Sequence, residues 1–171
     1  MLPAKFVERV LRELGPDEGG ALCRALTGEP SVSVRLNAAK GLAAPSGRPI
    51  GWSSGGYWLD ARPSFTLDPD FHAGRYYVQE ASSQFVGRLM GGEGVAGKRI
   101  LDLCAAPGGK TTLYASLAGP DGLVVANEID RRRAQVLADN VRKWGTGNVA
   151  VTTCEPRQLG DFEAWFDMVA V

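Results

Sequence analysis

The chain has 171 residues, with Lys+Arg and Asp+Glu both at 19, so it carries no net charge; 44% hydrophobic and 22% charged content is the ordinary balance of a globular protein. That balance excludes a strongly basic nucleic-acid surface over the whole chain while leaving room for a local patch, and no apolar run approaches the ~20 residues of a membrane helix. Three cysteines without CxxC spacing (Cys23, Cys104, Cys154) and one histidine, His72, argue against a zinc or other metal site, and an odd cysteine count without a signal peptide fits a reducing cytoplasm.

Pro3 to Leu14 is predicted as a helix with Phe6, Val7, Val10, Leu11 and Leu14 on its apolar face. Gly15-Pro16 breaks it, and a second helix is expected from Asp17 to Leu26, with Leu22, Cys23 and Leu26 inward. Ser31 to Leu36 alternates Val32, Val34 and Leu36 on one side and reads as a strand. Gly41 to Gly56, rich in Gly, Pro and Ser, reads as loop. Trp52, Tyr57, Trp58, Phe65, Phe71, Tyr76 and Tyr77 cluster in and after it, some for a core and some available for base stacking.

Gln79 to Met90 is predicted as one helix burying Ala81, Phe85, Val86 and Leu89, ended by Gly91-Gly92. From Lys98 the pattern turns regular: strand 99–103, helix 111–118, a Gly-Pro-Asp-Gly turn and strand 123–126. Asp130 caps a helix over Arg131–Trp144 whose inner face is Ala134, Leu137, Ala138, Val141 and Trp144. Strands 149–152 and 166–171 complete an alternation that implies a parallel, doubly wound sheet.

The most informative stretch is residues 100–110, a strand that runs into Pro107-Gly108-Gly109 and then a helix, the arrangement with which an α/β sheet holds a nucleotide-like ligand at its strand ends. Three readings compete. A phosphate loop is suggested by Gly109-Lys110-Thr111, yet Cys104 stands where its first glycine belongs and Pro107 removes an amide donor. A dinucleotide site lacks G-x-G-x-x-G. An S-adenosylmethionine site needs close backbone approach rather than a ring of amides. Glu128, twenty positions beyond Gly108 and just after the second strand, is placed to accept from ribose hydroxyls, which suits an adenosine ligand; Glu155 follows the third strand and could reach the same ligand.

The run Leu101 to Thr111 resembles the cofactor loop of the Sun-type RNA (cytosine-5)-methyltransferases, bacterial ribosomal-RNA branch. Tyr77 to Ser83 is similar to that family's signature upstream of the catalytic domain, Arg35-Leu36-Asn37 to its short N-terminal strand motif, and Asn127-Glu128 to its ribose-binding position. The resemblance runs through residues 31–171 in order. It implies an α/β fold: a Rossmann-like S-adenosylmethionine-dependent methyltransferase sheet, truncated after the fourth strand, over residues 76–171, preceded by a small α+β RNA-recognition-type module over residues 1–75. It implies S-adenosyl-L-methionine as cofactor, held by Cys104, Ala105, Ala106, Pro107, Gly108, Gly109, Lys110, Glu128, Arg133 and Glu155, and RNA, ribosomal RNA foremost, as partner. Glu155 stands where the family usually has the shorter Asp.

The family's chemistry adds a cysteine thiolate to carbon 6 of cytosine so that carbon 5 can take the methyl group. Its Asp-Ala-Pro-Cys motif would follow strand 166–171 and its Thr-Cys motif comes later, so no catalytic residue is assigned, and the chain alone is expected to be inactive; Thr153-Cys154 falls far from the nucleophile position. The other expectations are a non-catalytic cofactor- or RNA-binding piece, a distant phosphate-loop alternative, and self-association through an exposed edge at 166–171.

Overall fold

The computed structural model describes residues 1–171, apart from the side chains at positions 92 and 93. Residues 1–31 form one compact unit and residues 32–171 another. The first unit is α1 (Ala4–Thr27), broken where Gly15 takes φ +79° ahead of Pro16. The expected two-helix reading is thus met, but not its buried face. Val10 is buried, whereas Phe6, Leu11, Leu14, Leu22 and Leu26 are exposed and Cys23 is half-buried. A pair of short helices is too small to enclose its own apolar stripe.

The second unit holds two four-stranded sheets. The first contains β1 (Val32–Leu36), β2 (Gly47–Pro49), β3 (Gly56–Leu59) and β4 (Tyr76–Val78), antiparallel in the order β2-β3-β1-β4. β2 lies inside the stretch expected to be loop; it is three residues long and exposed, so no alternation announced it. β1 has burial on both faces: Val32 and Val34 alternate with Ser33 and Arg35, and all four are buried. Between β3 and β4 lies the short α2 (Pro69–His72), capped by Asp68.

The predicted helix over 79–90 is two single turns, α3 (Ala81–Gln84) and α4 (Val86–Leu89). Its buried face is Ala81, Gln84 and Gly87; Phe85 and Leu89 point outward. The reason is polar: Gln84 donates to the carbonyls of Val34 and Gln79, so the amide rather than Phe85 turns inward.

The second sheet contains β5 (Arg99–Asp102), β6 (Leu123–Asn127), β7 (Val149–Thr152) and β8 (Met168–Ala170), all parallel in the order β7-β6-β5-β8. It is the expected Rossmann-like sheet. α5 (Gly109–Ala118) and α6 (Arg131–Trp144) connect β5 to β6 and β6 to β7. Val124 packs with Tyr114, Ala115 and Ala118 of α5, and Ala126 packs with Leu137 and Val141 of α6. Because Val124 and Ala126 are two apart on one strand, both helices cover one face of the sheet. On the opposite face Leu101 is buried, Ala150 is exposed and Val169 of the edge strand β8 is 60% exposed.

Candidate cofactor site

The site sits where β5, β6 and β7 end. Asp102 closes β5, buried, and its Oδ2 accepts from Thr111 Oγ1 at 2.6 Å, which ties the strand end to the first turn of α5. Burial pushes the Asp102 carboxyl above its usual range, partly opposed by the Thr111 bond. The turn from Cys104 to Gly109 folds back at once: the Gly108 amide donates to the Ala105 carbonyl at 2.8 Å, and the Ala105 amide reaches across to the Asn127 carbonyl at 2.9 Å. Gly108 requires glycine, since its φ is +106° and a Cβ there would stand 3.1 Å from Leu137 Cδ1.

Three carbonyls of this turn are gripped by side chains from elsewhere. Ala106 O accepts from Arg133 Nη2 at 3.0 Å. Pro107 O accepts from Asn140 Nδ2 at 2.8 Å and from the Tyr77 hydroxyl at 3.2 Å. Gly109 O accepts from Arg35 Nη2 at 3.1 Å. Burial raises the Tyr77 phenol above its ordinary value, so it remains a donor at neutral pH.

Glu128 follows β6 and is 3% exposed. Its Oε1 accepts from the Asp130 amide at 3.2 Å. Its Oε2 is buried without a hydrogen bond among the described residues; Arg133 Nη2 approaches to 3.4 Å, an ion-pair distance but not a well-formed hydrogen bond. Arg133 therefore spans the gap between Glu128 and Ala106, which puts the acid and the turn on the same cleft. Asn127 orders the neighbouring strand end, with Oδ1 accepting from Thr152 Oγ1 and from the amide and thiol of Cys154.

Of the residues singled out in the sequence, the turn residues, Glu128 and Arg133 come together here. Cys104, Pro107 and Lys110 are exposed, Ala105, Ala106 and Gly108 are buried. Glu155 is exposed beyond β7, its amide bonded to Gln158 Oε1 at 2.9 Å. Arg131 and Arg132 face solvent, and the Arg132 and Arg133 amides are capped by Asp130. Gln79 is buried against Arg35. Sequence reasoning missed the grip of Arg35, Tyr77 and Asn140 on the turn, although Arg35 and Tyr77 both stand in the stretches that carried the resemblance.

Two cavities of about 460 and 700 Å3 lie apart from this cleft, one over Val34, Leu36, Leu59 and Tyr76, the other at the C-terminal ends of α5 and α6. The second is flanked by helix carbonyl ends and is no place for a phosphate. Among the described residues no group of three His, Cys, Asp or Glu side chains could hold a metal ion, and no helix is long and apolar enough to cross a membrane.

An adenosyl ligand fits these groups on one observation above others: a buried carboxylate oxygen with no hydrogen bond, opposite a turn whose carbonyls are already occupied. Residues 2–81 match the N-terminal domain of 16S rRNA methyltransferase RsmF, and residues 93–171 match 16S rRNA methyltransferase RsmB/F. Ribosomal RNA small subunit methyltransferase F of Citrobacter koseri is 34% identical over 142 residues, which are 75% of this chain and 30% of that relative. Among solved structures, PH0851 has a TM-score of 0.81 at 26% identity over 98% of this chain and 40% of its own. A methyltransferase homologue from Pyrococcus horikoshii shares the fold, with a TM-score of 0.77 at 23% identity over 98% of this chain and 62% of its own. Two family matches in the order of the two sheets, over nearly the whole chain, make it a member of the Sun-type 16S rRNA methyltransferase RsmB/F family.

Proposed function

We propose that this chain holds S-adenosyl-L-methionine in the cleft between the turn 104–110 and Glu128, and that the longer protein methylates carbon 5 of a cytosine in ribosomal RNA. The reading rests on Glu128: a buried carboxylate whose Oε2 lacks a hydrogen bond is costly unless a ligand donates to it. Ribose hydroxyls are such donors. Arg133, held to the Ala106 carbonyl at 3.0 Å and near Glu128, borders the same cleft with a side chain 60% exposed. We assign Glu155, exposed beyond β7, to the adenine or ribose edge. The backbone of Cys104 to Lys110 lies against the rest of the ligand, with Gly108 and Gly109 admitting close approach.

The bound cofactor supplies an electrophilic methyl group. This chain's residues bind and orient it and keep the turn rigid. None of its cysteines is assigned as nucleophile: Cys104 belongs to the cofactor turn, Cys154 donates its thiol to Asn127, and Cys23 lies on α1. The chain alone is therefore a cofactor-binding piece that transfers no methyl group. RNA would approach through the RNA-recognition-type module that begins the chain.

Calorimetry with S-adenosylhomocysteine and with ATP tests the reading. We expect binding of the first, no heat with the second, and a loss of roughly tenfold or more on Glu128→Ala, the scale of a charge-assisted pair of hydrogen bonds. Binding of ATP alone would restore the phosphate-loop alternative. Labelled methyl transfer to ribosomal RNA by the purified chain would overturn the inactivity.

A further inference from the structure

Arg35 is 2% exposed and sits beneath the first turn of α5. Its Nε donates to Gln79 Oε1 at 2.8 Å, and its Nη2 donates to the Gly109 carbonyl at 3.1 Å and to Thr112 Oγ1 at 2.7 Å. The guanidinium lies 4.5 Å from the centroid of the Trp144 ring. No carboxylate of the described residues pairs with it. Burial lowers its pKa to about 9, so it is still charged at neutral pH.

A cation is out of place there. The start of a helix repels positive charge, and a buried charge normally finds an opposite one. The neighbour that could have neutralised it is Gln79. That amide carries its own cost, because Gln79 Nε2 is buried with no hydrogen-bond partner among the described residues. A glutamate at 79 would keep the acceptor at 2.8 Å and cancel the charge, with its second carboxylate oxygen standing where the orphaned donor is now. Local stability alone therefore favours glutamate.

We infer that Arg35 and Gln79 are a positioning pair: the amide keeps the guanidinium charge uncompensated so that it acts, through the start of α5, on the carboxylate of the cofactor's amino-acid arm. The inference rests on the cofactor reading above. With ribose at Glu128 and adenine toward Glu155, the amino-acid arm is left with the turn and the amides opening α5. Arg35 grips the carbonyl of Gly109, and in a trans peptide the Lys110 amide of the same unit points away from the guanidinium. The exposed Lys110 side chain adds a mobile positive charge, and Asp102, bonded to Thr111, is the nearby negative one.

The test compares S-adenosylhomocysteine with 5′-methylthioadenosine, which has the adenosine and sulfur but no carboxylate, by calorimetry on the 171-residue chain. Gln79→Glu neutralises Arg35 without removing it. It should weaken S-adenosylhomocysteine about tenfold, the scale of one partly screened charge, and change methylthioadenosine less than about twofold. Its melting temperature should be no lower than the wild type's. Arg35→Lys keeps the charge and should retain the ligand preference within about twofold while melting earlier. If Gln79→Glu leaves the ratio of the two affinities unchanged, the inference is overturned while the cofactor reading stands. If the wild-type chain binds neither ligand, both fall.

Discussion

Asn37 ties the end of β1 to the end of α6, and its loss should be felt across the larger unit. Its Nδ2 donates to the carbonyls of Gly74 at 3.1 Å and Trp144 at 2.8 Å, and its Oδ1 accepts from the Ala39 amide at 3.2 Å. The residue is 4% exposed. The Trp144 carbonyl belongs to the last turn of α6, where carbonyls have no helical partner, so Asn37 acts as a cap delivered from another sheet. Each neutral bond contributes roughly 0.5–1.5 kcal/mol, and a buried group left alone costs about 1–3 kcal/mol. Counting the two donated bonds and discounting the one in the turn, Asn37→Ala should cost about 3 kcal/mol. With a urea slope of about 2 kcal/mol/M for a chain this size, the midpoint should fall by about 1.5 M. Asn37→Asp separates the bonds from the volume. At pH 7 it places a carboxylate against two carbonyls and should be less stable than Asn37→Ala. Its folded-state pKa is raised by that contact, so stability is regained as pH falls, when the protonated acid donates again. Urea unfolding followed by tryptophan fluorescence reads both. A midpoint for Asn37→Ala within about 0.3 M of the wild type, on the same slope, or an Asn37→Asp chain at least as stable as Asn37→Ala at pH 7, refutes the accounting.

Gly108→Ala should destabilise by about 1–3 kcal/mol, because the left-handed backbone and the contact with Leu137 both oppose a Cβ; thermal unfolding reads it, and an unchanged melting temperature would mean that the turn relaxes freely. Tyr76→Phe removes the 2.6 Å bond that holds the Asp68 carboxyl below its usual range. A depressed carboxyl contributes stability above its unfolded pKa and loses it as pH falls through the folded value, so the variant should melt earlier than wild type near neutrality, with the gap closing below pH 3.8. A gap that widens in acid would reverse that assignment. We also propose that β8 self-associates: Val169 is 60% and Val171 86% exposed at an unpaired strand edge. Sedimentation should show concentration-dependent dimers that Val169→Lys abolishes, and a monomer at all concentrations removes the proposal.

The parallel half was legible because its signals are local. Asp130 before an amphipathic run gives α6 to the residue, and alternation of apolar strands with helices gives the strand order's parallel character. The antiparallel half was less so. β2 is three exposed residues stabilised only by pairing with β3, a contact no spacing foretells. The helix over 79–90 failed for a stated reason: apolar periodicity favoured Phe85, whereas hydrogen bonds to the carbonyls of Val34 and Gln79 drew in Gln84. Glu128 and the glycine turn were readable as neighbours because each follows the end of an adjacent parallel strand, β6 and β5. Arg35, Tyr77 and Asn140 were not, because each works by reaching a carbonyl 30 or more positions away.

That long reach ties the antiparallel sheet to the turn 104–110. A loop with two adjacent glycines is poorly ordered by itself, and fixing each residue on ligand binding would cost about 1–2 kcal/mol of backbone entropy. Here the ordering is done in advance. Arg35 from β1 grips Gly109, Tyr77 from β4 and Asn140 from α6 grip Pro107, and Arg133 grips Ala106. Trp144 joins the set by stacking under Arg35 and meeting Tyr77 edge-on. The anchors come from both sheets' layers, so the turn can move only if β1, β4 and α6 move together. A ligand that meets the turn then binds a surface already shaped, and binding energy is not spent on ordering it.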